Sequence, residues 1–206
     1  MNKAFVASHT CTFCNSFELI LSTILQHSEI DFTLVTIFNV LFMKKKSAGI
    51  LVYKFKNQNK VEVLLVHPGG PFFTKKDLGV WSIPKGEYEE DEDPLLVAKR
   101  EFYEETGNRV IDGLLIKLKP ITIKSGKQIT AWAIETDFEK PFISSNEFEM
   151  EWPPKSGKKQ RFAEVDKAEW FTIDVAKQKI NPGQISFLDE LLEMLENNKD
   201  IIVHKK

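Results

Sequence analysis

The residues with the most chemical capacity lie in the stretch 86–108, GEYEEDEDPLLVAKREFYEETGN. Glu101, Glu104 and Glu105 fall at helical spacing, with Arg100 directly before them and Glu92 and Gly86 upstream. At about 100° per residue, the three carboxylates share an arc of roughly 100° on one side of a helix. Like charges one turn apart weaken an isolated helix by a few tenths of a kcal/mol per pair. A merely solvated face would mix in lysines to relieve that repulsion; here the cation beside the acids is Arg100, one turn from Glu104. Hard divalent cations such as Mg2+ take oxygen ligands, and are held by a few carboxylates together with substrate phosphates. Gly86 is expected to let the Lys85-Gly86 backbone turn sharply and offer a carbonyl to the ion. Such an ion polarises P–O bonds, activates water and neutralises leaving-group charge. The chemistry these residues imply is metal-dependent hydrolysis of a phosphate or diphosphate.

The acids must be carried by a helix, and the strongest helix start in the chain is placed to supply it. Asp93 is an N-cap acceptor followed by Pro94 at the first helical position. Gly107 is the matching stop. Between them Leu95, Ala98 and Phe102 form an apolar face beside the acidic one. Upstream, residues 50–55 and 61–66 read as two strands of a hairpin turned by Asn57-Gln-Asn59, the second apolar enough to be buried on both faces. His67 to Pro71 breaks this pattern, with His67 expected to be structural. Residues 72–80 read as an irregular loop, and 81–83 as a short strand stopped by Pro84.

Downstream, residues 110–119 and 128–135 read as strands. Residues 139–159 read as a long polar loop, of a length more often functional than idle. A last strand over 164–171 precedes helices over 173–179 and 184–196, the second with Ile185, Leu188, Leu191, Leu192 and Leu195 as its core stripe. The order suggests a mixed α/β or α+β sandwich.

The chain has 206 residues, 42% of them hydrophobic and 28% charged, with a net charge of -2, a globular composition that gives no general argument for nucleic acid or membrane partners. Residues 1–42 carry one basic residue, Lys3, against Glu18, Glu29 and Asp31, so the net charge comes from this leader and the remainder is balanced. Met43 is followed by Lys44-Lys45-Lys46 and then a strand; residues 1–42 are expected to be an extension outside the fold, and 43–206 the functional domain. Cys11 and Cys14, with His9 nearby, are too few for a disulfide framework and lack a second ligand pair for zinc. A reducing, cytoplasmic setting is the expectation. No apolar run reaches the ~18 residues of a spanning helix.

Gly86, Glu92, Arg100-Glu101-Phe102, Glu104-Glu105 and Gly107 resemble the Nudix box, G-x5-E-x7-R-E-U-x-E-E-x-G-U, where U is bulky and apolar. All seven fixed positions agree, a match whose chance per start position is on the order of one in a hundred million. The departure is Asn108, where the pattern has an apolar residue. The resemblance implies an α/β/α sandwich over about residues 47–197, a mixed central sheet flanked by the box helix and the C-terminal helices. It implies Mg2+ or Mn2+ held by Glu101, Glu104 and Glu105 with the Gly86 or Lys85 carbonyl. Glu101 would orient or deprotonate the attacking water, Glu104 would share in catalysis, and Arg100 would hold a box glutamate. Glu92 and Gly107 would support the box. A further acid just before the last strand is implied, for which Glu164 fits better than Glu147, Glu149 or Glu151.

Lys85, Lys155, Lys158, Lys159 and Arg161 are candidates to meet phosphates, against a reading as solvated surface cations. Trp81, Phe72, Phe73 and Trp152 are candidates to stack on a base, against a reading as core or loop anchors. The implied reaction is hydrolysis of a diphosphate linkage in a nucleoside-diphosphate-linked small molecule. The Pro84-Lys85-Gly86 entry resembles the dinucleoside-polyphosphate branch and favours such compounds or nucleoside triphosphates. The alternatives are an RNA 5′-pyrophosphohydrolase and a non-catalytic ligand sensor, the latter usually marked by a degraded box.

Overall fold

The computed structural model describes residues 45–57, 60–110 and 113–203. The chain divides into Met1–Met43 and Lys44–Lys206, and the described residues all belong to the second unit. The Cys11/Cys14 reading and the status of residues 1–42 lie outside the described residues.

The central strand is β1 (Lys46–Asn57), and three other strands pair with it. Along its first half it pairs antiparallel with β3 (Lys85–Tyr88), setting Ala48 opposite Gly86 and Gly49 opposite Lys85. Along its second half the same edge pairs with β2 (Lys60–Pro68), as the hairpin expectation required. Its other edge runs parallel to β6 (Gln128–Glu135). The short strands β4 (Ile116–Lys117) and β5 (Ile121–Thr122) pair with β6, and β9 (Val165–Thr172) closes the far edge on β2. Flanked on both sides, β1 and β2 are apolar on both faces, which is why their alternation is weak in the sequence.

Alternate residues of these strands build two cores. Leu51, Val63, Leu65, Ile129 and Ala131 face α2 (Ile173–Lys179) and α3 (Ile185–Val203), the latter contributing Phe187, Leu188 and Leu191. Ala48, Ile50, Val52, Leu64, Val66, Trp132 and Ile134 face α1 (Pro94–Thr106), which contributes Val97, Ala98 and Phe102. This is the α+β sandwich with a mixed sheet that the sequence suggested.

Three expectations are corrected. The 139–159 loop contains a hairpin, β7 (Glu147–Glu151) with β8 (Lys159–Ala163), which forms a sheet of its own. Its strand EFEME alternates exposed acids with half-buried Phe148 and Met150, a period of two that its charge disguises. Within 110–119 the described strand is only Ile116–Lys117. The final helix begins at Ile185 after a 3-10 turn (Pro182–Gln184) and runs on to Val203, well past residue 196. Among the described residues no helix is long and apolar enough to cross a membrane.

Candidate active site

The box helix is set by its ends. Asp93 Oδ1 accepts hydrogen bonds from the Leu95 and Leu96 N–H groups at 2.7 and 3.4 Å, a cap worth about 1 kcal/mol. At the other end Gly107 takes a left-handed φ of 74° and donates to the Tyr103 carbonyl. With Val97, Ala98 and Phe102 in the core, Glu101, Glu104 and Glu105 come out on the flank that faces β3 and the start of β9. Thr106, fully buried, extends the inward face that the sequence reading drew through Leu95, Ala98 and Phe102.

Gly86 does not turn the chain. It sits within β3 opposite Ala48, and its φ is not among the positive ones, so the expected sharp turn at Lys85-Gly86 is absent. Its role is steric: a Cβ there would overlap the Glu101 carboxyl, which packs directly over the glycine. The strand is thereby brought against the helix, and the Lys85 N–H donates to Glu105 Oε2 at 3.1 Å.

The carboxylates form one electrostatic group. The Glu105 carboxyl is enclosed by protein although the residue keeps some accessible surface, and burial pushes it up to about 8. Lys85, by its charge and its N–H, pulls the other way, while Glu101 and Glu164 push further up. Glu101 is likewise raised, by burial first and then against the restraining hydrogen bond from Arg100, with Glu104 and Glu164 adding to the rise. Arg100 donates to Glu92 Oε1 at 2.9 Å and to Glu101 Oε1 at 3.1 Å, and this pairing raises its own pKa. Glu92 is held low by the Glu89 N–H and by Arg100, so it stays ionised as the counter-charge that keeps Arg100 beside Glu101.

Glu164 stands just before β9, with its N–H donated to the Asn146 carbonyl and its C=O accepting from the Gly69 N–H, both at 2.8 Å. Glu147, Glu149 and Glu151 point along the exposed side of β7. Glu149 pairs with Lys159 at 2.9 Å, and Glu151 accepts from the Gly157 N–H of its own hairpin turn. Of the four acids outside the box, Glu164 is the one whose charge reaches Glu101 and Glu105.

This donor set fits a hard divalent cation: oxygen ligands only, several negative charges, and a carboxyl, Glu105, whose burial raises its pKa. Among the described residues no three such side chains already stand in ligand geometry. In this structure Glu101 is engaged by Arg100, and Glu105 by the Lys85 N–H.

The structure separates the other candidates. Lys85 is beside Glu105, whereas Arg161 lies on β8 opposite Glu149, and Lys155 lies on the hairpin turn with a φ of 65°. Trp81 cannot stack on a ligand: it is 2% exposed, donates to Asp77, and packs edge-on against His67 and Phe171. Phe72 is exposed and meets Trp152 edge to face at 5.3 Å. His67 is buried and tied to Asp166 and the Lys76 carbonyl, a structural residue as expected. Asn108, the departure from the pattern, is buried, and its amide donates to the Lys140 and Pro141 carbonyls. Its polarity in an apolar position was the signal that marked it.

The fold is a mixed sheet between helix layers, with a glutamate-rich helix laid against a glycine of a neighbouring strand. The family model described as NUDIX domain matches residues 43–191, and the chain belongs to the Nudix family. An RNA pyrophosphohydrolase of Bartonella henselae is 37% identical over 73 residues, which cover 33% of this chain and 38% of that protein. A mutT/nudix family protein from Listeria innocua aligns with a TM-score of 0.52 at 14% identity, covering 76% of this chain and 97% of that one. The NUDIX domain of Shewanella oneidensis NrtR, solved with ADP ribose, aligns with a TM-score of 0.50 at 17% identity, covering 74% and 88%.

Proposed function

We propose that this protein is a metal-dependent pyrophosphohydrolase that cleaves the diphosphate linkage of a nucleoside-diphosphate-linked small molecule. The observation that carries this reading is the Glu101 carboxyl laid over Gly86 with Glu105 bound to the adjacent Lys85 N–H, the charge of Glu164 acting on both and that of Glu104 on Glu101. Glu101, Glu104, Glu105 and Glu164, with the Gly86 carbonyl, would hold Mg2+ or Mn2+. When bound, the ion supplies Lewis-acid activation of water and neutralisation of phosphate charge.

Glu101, the carboxyl laid over Gly86, would orient the attacking water and accept its proton. Arg100, kept in place by Glu92, fixes the Glu101 carboxylate and prevents it from swinging to solvent. Lys85 offsets negative charge beside Glu105 and is the first candidate to meet a substrate phosphate. Lys155 and Arg161 would act only on a substrate long enough to reach the hairpin. Dinucleoside polyphosphates or nucleoside triphosphates are the favoured substrates, by the resemblance of the Pro84-Lys85-Gly86 entry. The cytoplasm is the proposed setting, because Cys11 and Cys14 make no disulfide framework.

A second reading, RNA 5′-end pyrophosphohydrolysis, is supported by the similarity to the Bartonella henselae protein over a third of the chain. A substrate panel of dinucleoside polyphosphates, nucleoside triphosphates, nucleotide sugars and 5′-triphosphorylated RNA, assayed with Mg2+, tests both. Turnover on one class is expected, with Glu104→Gln lowering it about 100-fold or more, because several kcal/mol of charge stabilisation go with the ion. Metal binding without turnover on any member would favour the sensor reading.

A further inference from the structure

We propose that Asn108 is a positioning residue for Glu164, setting where that carboxylate stands relative to Glu101 and Glu105. The proposal rests on the reading of Glu164 as a metal ligand. Asn108 itself lies at the far side of the helix end and touches none of the acids; its influence runs through the chain segment 140–146.

The last carbonyls of a helix have no partners within it. Here the Thr106 carbonyl accepts from the Ile143 N–H at 2.9 Å, and the Glu104 carbonyl from the Asn146 N–H at 2.9 Å. The same Asn146 then accepts, on its own carbonyl, the Glu164 N–H at 2.8 Å, and Ser145 Oγ accepts the Val165 N–H at 3.0 Å. The residue Glu164 is therefore tied to the last turn of α1 through Asn146 on its N–H side, and to the end of β2 through the Gly69 N–H on its carbonyl. Segment 140–146 has no strand or helix of its own to hold it.

Asn108 supplies the hold at the start of that segment. An amide NH2 group has two donors, and here they are shared among three carbonyls, those of Lys140 at 3.0 Å, Pro141 at 3.1 Å and Thr106 at 3.4 Å, the first two being the shorter contacts. The Asn108 side chain is itself buried, and its own N–H is bound to Thr106 Oγ1 at 3.1 Å. A Cβ at Gly107 would come within 2.8 Å of both Ile143 Cβ and Ser144 Oγ, so the segment is laid tightly across the helix end. The apolar residue of the box pattern would leave the Lys140 and Pro141 carbonyls without these donors. The departure at Asn108 is thus matched by a chain path that needs it.

The test uses the full chain, stripped of metal, and reads Mn2+ binding by electron paramagnetic resonance. Asn108→Leu, which restores the apolar pattern, is expected to weaken Mn2+ binding about 10-fold, the lower end of what losing a group that orients a metal ligand costs. Glu164→Gln is expected to weaken it as well, and the double variant to bind no more weakly than Glu164→Gln alone, because the two act on one route. Amide exchange at Asn146 and Glu164 should quicken in Asn108→Leu without metal. Leu191→Ala, on the opposite core, should lose thermal stability and keep its Mn2+ affinity, which separates positioning from general loosening. Wild-type Mn2+ affinity in Asn108→Leu overturns the positioning role while leaving Glu164 as a ligand. Wild-type affinity in Glu164→Gln removes the ligand reading, and the proposal with it. Additive effects in the double variant also overturn it. Asn108→Ala serves the same comparisons if the leucine side chain prevents folding.

Discussion

The two faces of the sheet are built from alternate residues of the same strands, yet they are held in different ways. On one, Phe187, Leu188 and Leu191 of α3 are sealed against Leu51, Leu65 and their neighbours, and apolar burial anchors the helix from Ile185 to Leu195. On the other, α1 buries Val97, Ala98 and Phe102 but gives the adjacent flank to carboxylates that repel one another. Hydrogen bonds at its two ends hold it as well: Asp93 at the start, and the 143–146 segment at the finish. The first face carries stability with no chemistry nearby. The second accepts unfavourable charge for the sake of a site, and its precision resides in a few directed bonds.

The comparison breaks first if the burial face matters to the site. Phe187→Ala should cost about 3–5 kcal/mol in denaturant unfolding, while the folded fraction keeps its metal affinity; a parallel loss of affinity would mean that the faces are not separable. On the helix face the reverse is expected. Gly86→Ala must displace the Glu101 carboxyl or β3, and should lower turnover about 100-fold, as a displacement of about 1 Å at a reacting centre does, with little change in unfolding free energy.

A further effect is a slope with pH. Between the ordinary carboxyl value near 4.5 and about 8, the folded metal-free protein keeps a proton on Glu105 that the unfolded chain has lost. Stability therefore falls as pH rises through that window. Melting temperature followed against pH in EDTA should show the decline, and Glu105→Gln should flatten it.

Much of the second face is legible in the sequence because its signals are local. Asp93-Pro94 and Gly107 mark the helix ends, and the glutamate spacing marks its acidic flank. What was hidden depends on residues far apart in the chain. The reason for a glycine at position 86 is the Glu101 carboxyl fifteen residues on, a packing fact that backbone rules about turns do not reach. Phe187, one turn before Leu191, shares the core face with Leu188 and Leu191, although the stripe expected from the sequence starts from Ile185 and leaves it out. The β7–β8 hairpin is masked by its charge: the acids of β7 are exposed, Phe148 and Met150 between them are only half-buried, and β8 is exposed from Lys159 to Arg161.

That hairpin has a narrow neck. The Glu164 N–H to Asn146 carbonyl bond joins the points where the chain leaves for the hairpin and returns from it. Its five cross-strand pairs belong to a sheet that shares no strand with the seven-stranded one. Everything from Glu147 to Ala163 can thus be lengthened, shortened or rewritten over evolutionary time without depriving any strand of the main sheet of its partner. The fold keeps an interchangeable cassette beside a fixed reaction centre, and a change of clientele need not disturb the cleavage machinery.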